Sequence, residues 1–164
     1  MKRILCILML LSILFSLIGC QTRQDDRIRF YYCREPKNYQ YNETDSVICA
    51  EDRVIPNHND NLRYIIGLYL AGPTEEGLRC PLPQNVKIMT ADRSTESVKL
   101  TFSDLGDSIT DVEFTIACAC LTMTCVDLTG CTQVTVISGE RSLTMTTESF
   151  RLVDSAIPEP IEGD

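Results

Sequence analysis

The sequence predicts an α+β two-layer sandwich, in which two helices pack on one face of a mainly antiparallel sheet. The first observation is the order of the apolar patterns, because strand-like alternation and helix-like spacing follow each other as β-β-α-β-β-α-β. The second is that each helical segment carries one apolar stripe, which a sheet with one apolar face can cover. A chain of 164 residues is long enough for one domain with a substantial core.

The first half of the predicted domain contains two strands and one helix. Ile28, Phe30 and Tyr32 alternate with other residues, which is typical of a strand with one buried face. Gly72 and Pro73 end the helix, since glycine accepts the C-cap conformation and proline cannot continue a helix. The predicted elements are strands over 27–33 and 46–55 and a helix over 61–71, with Asn59 or Asp60 as its N-cap.

The second half contains the longer helix and the remaining strands. Thr110 and Glu113 form a capping-box pattern that opens this helix, and Gly130 ends it. Its apolar stripe consists of Phe114, Ala117, Cys118, Leu121, Cys125 and Leu128. Strands are predicted over 86–91, 97–103, 131–137 and 141–145, with a last short strand over 150–153. The acidic segment 154–164 is predicted to be disordered.

The N-terminal segment indicates a lipoprotein. Lys2 and Arg3 precede an apolar run over 4–18, which as a helix would span only about 22 Å and is therefore typical of a signal peptide. The run ends at Gly19 and Cys20, and this ending resembles the lipobox of bacterial lipoproteins. The resemblance implies removal of residues 1–19 and attachment of lipid, including palmitate, to Cys20. The alternatives are an uncleaved anchor and a plain secretory signal.

The anchor and the net charge together limit the partners. Residues 20–26 form a tether of about 20–25 Å when extended, which keeps the domain at the extracytoplasmic face of the cell membrane. Loss of Lys2 and Arg3 with the signal peptide leaves 13 basic and 23 acidic residues, a net charge of −10. This acidity disfavours binding to nucleic acid. We expect the membrane, reached through the lipid anchor, and another envelope protein as partners.

The middle of the chain resembles the GerMN (sporulation and spore germination) domain family. The segment Leu70–Pro83, with sequence LAGPTEEGLRCPLP, carries the features of that family: a helix that ends in Gly-Pro-Thr, a glycine-leucine turn and a proline before the next strand. The resemblance covers residues 27–142 of a GerMN-like domain over 27–153. It implies a fold similar to ring-building modules of sporulation and secretion complexes, and a non-enzymatic role in the envelope of spore-forming bacteria. This sequence differs from the family pattern in two ways: it contains a single copy of the domain, and it is rich in cysteine.

Seven cysteines remain if Cys6 leaves with the signal peptide and Cys20 carries lipid. Cys118 and Cys120 lie about 200° apart around a helix, and Cys118 and Cys125 lie about 10.5 Å apart along its axis. Neither spacing suits a compact metal site, so we expect these thiols to pack in the core as small apolar groups. No metal ion and no cofactor is predicted.

One disulfide is predicted, between Cys33 and Cys49. A hairpin centred near Tyr41 would set these two residues directly opposite each other, with Tyr32 opposite Ala50. A disulfide is permitted outside the cell membrane. This prediction depends on the register of the hairpin.

The sequence predicts a binding module without catalytic residues. The single histidine, His58, lies in a polar loop as a turn or cap residue, and no feature directs it at a nucleophile. We therefore expect a lipid-anchored extracytoplasmic interaction module. One alternative is a thiol-redox lipoprotein, which would require an exposed thiol of low pKa. Another is a solute- or glycan-binding lipoprotein that uses tyrosine rings as flat contact surfaces, namely Tyr31, Tyr32, Tyr39 and Tyr41.

Overall fold

The computed structural model describes residues 26–35, 47–56, 58 and 61–150. The predictions for the signal peptide, the lipidated Cys20, the segment 154–164 and the strand residues 151–153 lie outside these ranges. The described strands are β1 (Arg27–Arg34), β2 (Ile48–Val54), β3 (Leu78–Arg79), β4 (Ile88–Arg93), β5 (Ser97–Phe102), β6 (Gln133–Ser138) and β7 (Arg141–Thr146). The α-helices are α1 (Leu62–Leu70) and α2 (Asp111–Thr129), and short 3-10 helices span Gly106–Ser108 and Thr147–Phe150.

These elements form an α+β fold, as predicted, but with two sheets where the sequence analysis expected one. The first sheet has the order β2-β1-β3, and the second has the order β4-β5-β6-β7. All neighbouring strands are antiparallel except β5 and β6, which are parallel and are connected through α2. Strand pairing across a long connection is decided by tertiary contacts, which apolar alternation does not report.

Helix α2 contacts both sheets. It packs against β1 of the first sheet and against β6 and β7 of the second. The predicted stripe is buried except for the partly buried Leu128, and burial extends beyond it to Ala119, Cys120, Thr122 and Thr124. By length and composition α2 could cross a membrane, but half of it is enclosed by the domain, as in the core helix of a globular fold. This helix therefore joins the two sheets through one core.

The ends of both helices follow local rules. Thr110 and Glu113 form the predicted capping box of α2, and Gly130 ends α2 with a left-handed φ of 70°. The prediction of Asn59 or Asp60 as the N-cap of α1 is wrong. The cap is Asn61, whose side chain accepts a hydrogen bond from the backbone N–H of Tyr64 at 3.1 Å.

The predicted register of the β1–β2 hairpin is wrong by one residue. Cys33 lies opposite Ile48, and Cys49 lies opposite Tyr32. Because side chains alternate between faces, Cys33 and Cys49 point to opposite faces of the sheet, and neither forms a disulfide in this structure. The predicted Cys33–Cys49 disulfide therefore does not fit this hairpin. The observed register instead places Glu51 opposite Phe30 on the apolar face.

Leu121 is completely buried in α2, so its truncation should leave a cavity where the helix meets its neighbours. We expect Leu121→Ala to lower the free energy of unfolding by about 2–5 kcal/mol, measured by urea denaturation. Val112→Ala on the same helix, at a side chain that is 70% exposed, is the control and should change it by less than about 0.5 kcal/mol. A loss below about 1 kcal/mol for Leu121→Ala would contradict the placement of α2 in the core.

Candidate functional site

A buried ion pair lies on the apolar face of the β1–β2 hairpin. Glu51 is 5% exposed, and its carboxylate accepts a hydrogen bond from Arg53 Nη2 at 2.8 Å. The same Nη2 atom contacts the hydroxyl oxygen of Tyr32 at 3.1 Å and the carbonyl oxygen of Gly72 at 2.6 Å. The backbone N–H of Thr74 donates to the other carboxylate oxygen at 2.9 Å, and its hydroxyl also donates there. We use the name Glu51 network for these five residues: Tyr32, Glu51, Arg53, Gly72 and Thr74.

Aromatic rings surround the cation of this network. The guanidinium carbon of Arg53 lies 4.9 Å from the ring centre of Phe30 and 5.5 Å from that of Tyr32. Tyr32 stacks on Tyr69 of α1 with ring centres 4.7 Å apart, and its hydroxyl donates to the Tyr69 carbonyl oxygen at 3.0 Å. The network therefore ties the hairpin to α1 and to the Gly-Pro-Thr segment that follows it.

The electrostatics of the network indicate a structural role. Burial by itself would raise the pKa of Glu51, but the hydrogen bonds from Arg53 and Thr74 outweigh it and hold that pKa below its ordinary value. Burial raises the pKa of Tyr32. Both groups therefore keep one protonation state around neutral pH. The Gly72 carbonyl accepts from Arg53 and Thr74 donates to Glu51, which agrees with the structural role that the sequence suggests for the Gly-Pro-Thr segment.

Removal of the Glu51 charge should destabilise the fold, because Arg53 would remain largely buried without its partner. We expect Glu51→Gln to lower the free energy of unfolding by roughly 3 kcal/mol, since the remaining cation stays largely buried. Asp52→Asn is the matched control. It removes the exposed pair with Arg29, 2.8 Å long, and should cost at most about 1 kcal/mol. Equal losses in urea denaturation would contradict the different roles of the two pairs.

The lowered pKa of Glu51 predicts that the free energy of unfolding depends on pH. Because the folded pKa of Glu51 is lowered, its contribution to stability is complete above the unfolded value of about 4.3 and is lost as the pH falls through the lower folded value. Between pH 7 and pH 3 the wild-type protein should lose more unfolding free energy than Glu51→Gln. An identical pH profile for the two proteins would contradict this assignment.

The thiols lie mainly in the interior. Burial raises the pKa of Cys80, and it raises the pKa of Cys118 to about 12. Burial is also the main reason why the pKa of Cys125 is raised. The pKa of Cys33 is lowered by its contact with Cys120, but that side chain is 1% exposed. None of these thiols combines exposure with a lowered pKa, the combination that thiol-redox chemistry requires.

The remaining predicted residues are dispersed. The carbonyl oxygen of His58 accepts the N–H of Asn61 just before α1, in a turn as expected. Tyr32 is buried in the Glu51 network, and the hydroxyl of Tyr31 donates to Asp127 at 2.8 Å; the other two tyrosines of the glycan hypothesis lie outside the described residues. Within the described ranges no group of three or more His, Cys, Asp or Glu residues could hold a metal ion.

An open groove of about 570 Å³ lies between α1 and β4, and sequence reasoning missed it. Its apolar wall includes Leu70, Val86 and Ile88, while Tyr64, with a 51% exposed side chain, lies at the helix surface. Gly67 leaves room in the wall, since a Cβ atom built on it meets nothing within 4 Å. In the sequence, the only hint of this groove was Gly67 itself, because a glycine inside a helix often has a packing or functional reason. We call this surface the α1–β4 groove.

The chemistry of the α1–β4 groove suits binding. Among the described residues of its lining, the charged ones are Arg63 and Lys87, and none carries a carboxylate, thiol or imidazole. Neither cation forms a salt bridge within the part of the chain that the structure describes. The groove is therefore locally basic and partly apolar on a protein whose formal net charge is −8.

The fold is similar to that of the first GerMN domain of the sporulation protein GerM from Bacillus subtilis. The TM-score is 0.54 at 16% sequence identity, over 71% of this chain and 85% of that chain. The resemblance to GerMN domains that the sequence suggested is thereby confirmed at the level of the fold.

A second solved structure, a predicted lipoprotein from Clostridium perfringens, aligns with a TM-score of 0.45 and 14% identity over 80% of this chain and 94% of that chain. Neither description names an enzyme. No protein-family model matches the chain, and no curated protein matches it.

Proposed function

We propose that this protein is a lipid-anchored, extracytoplasmic, non-catalytic module of the bacterial envelope that binds another envelope protein and acts in sporulation or germination. The observation that carries the proposal is the GerMN-like fold, which the chain shares with a domain of a sporulation protein. The α1–β4 groove supports a binding role, because its described lining combines apolar side chains with the cations of Arg63 and Lys87.

The N-terminal sequence supports the location. A signal peptide over residues 1–19 delivers the domain across the cell membrane, and Cys20, the residue that follows it, supplies the thiol for lipid attachment. Two or more acyl chains bind a protein durably to a bilayer, whereas one chain does not. The tether of residues 20–26 then holds the domain close to the membrane surface, where other envelope proteins are concentrated.

The charges and apolar residues that line the groove favour one chemical class of partner. Arg63 and Lys87 favour carboxylates, and the apolar wall of the groove favours an apolar side chain. We therefore infer that the occupant is an acidic segment of an envelope protein that carries at least one apolar side chain. The rest of this chain is acidic, so the local positive charge would orient such a segment toward the groove.

Anchoring is tested by Cys20→Ala in the native host. The variant should appear in the soluble fraction or remain as uncleaved precursor, and it should not incorporate labelled palmitate. If the module acts at the membrane in sporulation or germination, the same strain should also form fewer heat-resistant spores or germinate more slowly. Palmitate labelling equal to wild type would refute the anchor, and unchanged spore formation and germination would refute the sporulation role.

Groove binding is tested by filling the space beside Gly67. The wild-type protein and Gly67→Ala should capture the same envelope protein from detergent extracts, whereas Gly67→Trp should capture at least about tenfold less, a loss equivalent to about 1.4 kcal/mol of binding free energy. Lys87→Glu should also lose capture. Lys99→Glu, on β5 and outside the groove lining, is the matched charge control and should keep it.

Folding of each variant is checked by thermal denaturation before the comparison. Gly67→Ala should be at least as stable as wild type, because alanine is favoured over glycine within a helix by about 0.5–1 kcal/mol. Equal capture by folded Gly67→Trp and wild-type protein would contradict the groove as the binding surface.

A further inference from the structure

Two buried thiols from distant parts of the chain meet between β1 and α2. The sulfur atoms of Cys33 and Cys120 lie 3.9 Å apart although the residues are 87 positions apart in sequence. Cys33 is 1% exposed, and Cys120 is fully buried. The register of the hairpin turns Cys33 away from Cys49, and the burial of α2 beyond its predicted stripe brings Cys120 to the contact.

We propose that Cys33 and Cys120 form a disulfide that links β1 to α2 when the folding chain meets a disulfide oxidant. The presence of such an oxidant rests on the extracytoplasmic location in the proposed function. The assignment of Cys33 and Cys120 as the bonded pair rests on geometry alone. The sulfur atoms need to approach from 3.9 Å to about 2.05 Å, a movement within the range of side-chain rotation.

The neighbouring thiols are less suitable partners for Cys33. Cys49 lies on the opposite face of the hairpin. Cys118 lies about 200° around the helix from Cys120, so it faces away from the contact. Cys80 follows Arg79, which pairs with Cys33 across the β1–β3 edge, and it is therefore the competitor that an experiment must separate.

The reaction balances with a disulfide as the oxidant. The thiolate of one of the two cysteines attacks one sulfur of the oxidant, forms a mixed disulfide and releases the first thiolate of the oxidant. The thiolate of the other cysteine then attacks the sulfur of the first and releases the second thiolate of the oxidant. The two cysteines lose two electrons and two protons, and the oxidant gains them as two thiols.

The surroundings of the two thiols set the timing of these steps. In the folded domain the contact with Cys33 and burial both raise the pKa of Cys120, which disfavours its reactive thiolate form. Because both side chains are enclosed in the folded domain, we expect the bond to form while β1 closes over α2 and only slowly afterwards.

The bond is tested on the full-length protein, unfolded with its thiols reduced and then refolded with oxidised glutathione. Remaining thiols are alkylated, and trypsin releases Cys33 in peptide 30–34, Cys49 in 38–53, Cys80 in 80–87 and Cys120 in 100–141. We expect peptide 30–34 to be linked to peptide 100–141. Fragmentation between Ala119 and Cys120 then distinguishes Cys120 from Cys118 in the wild-type protein itself.

Matched alanine variants complete the assignment. The linked peptides should persist in Cys49→Ala, Cys80→Ala and Cys118→Ala and should be absent in Cys120→Ala. The urea midpoint of the oxidised wild-type protein should exceed that of the reduced protein, and the two should coincide for Cys120→Ala. Absence of a link after refolding, or a link from peptide 30–34 to 38–53 or 80–87, would overturn the proposal.

Alkylation in intact cells separates this inference from the proposed function. A Cys33–Cys120 link already present in the native host supports both the pairing and the extracytoplasmic location. Protein that forms the link with glutathione but is fully reduced in aerated cells would contradict the location, while the pairing would stand. Protein that never forms the link would contradict the pairing, whatever its location.

Discussion

The buried pair of Glu51 and Arg53 is the constraint on which the first sheet and its surroundings depend. Two charges on an apolar face are tolerated only when each is paired and hydrogen-bonded. Here the carboxylate receives Arg53 and Thr74, and the guanidinium also contacts Tyr32 and Gly72. The pair therefore couples three features: the register of the β1–β2 hairpin, the end of α1 and the path of the chain toward β3.

Helix α2 provides the second connection, because both sheets use it as part of their core. A helix with neighbours on several sides needs small side chains where the packing is closest. Alanine and cysteine fill this role at Ala117, Cys118 and Cys120, all fully buried. The abundance of cysteine is thus compatible with packing, and the contact between Cys33 and Cys120 adds a means of covalent linkage between β1 and α2.

The interior and the proposed binding surface share helix α1. On its inner side Tyr69 stacks on Tyr32, next to the cation of Arg53. On its outer side Tyr64 and Gly67 line the α1–β4 groove. Because the Glu51 network holds Gly72 and Thr74 just after this helix, it fixes one wall of the groove. A rigid wall of this kind lowers the conformational cost of binding a flexible segment.

Local patterns were sufficient for much of the fold. The capping box at Thr110 and Glu113, the glycine that ends α2 and the apolar alternation of β1 are short-range features, so the sequence by itself determined the α+β class, both helices and most strand positions. The N-terminal segment likewise predicted a lipid anchor at Cys20, outside the described residues.

Only the tertiary structure decided how these elements pair. The sequence-based register assumed a hairpin centred near Tyr41 and matched the apolar faces apart from Asp52, which placed Cys33 opposite Cys49. The fold instead buries Glu51 and Arg53, since Gly72 and Thr74, about twenty residues later, supply the hydrogen bonds that make their burial tolerable. The division into two sheets, the α1–β4 groove and the partner of Cys33 arise in the same way, from contacts between residues that no local pattern connects.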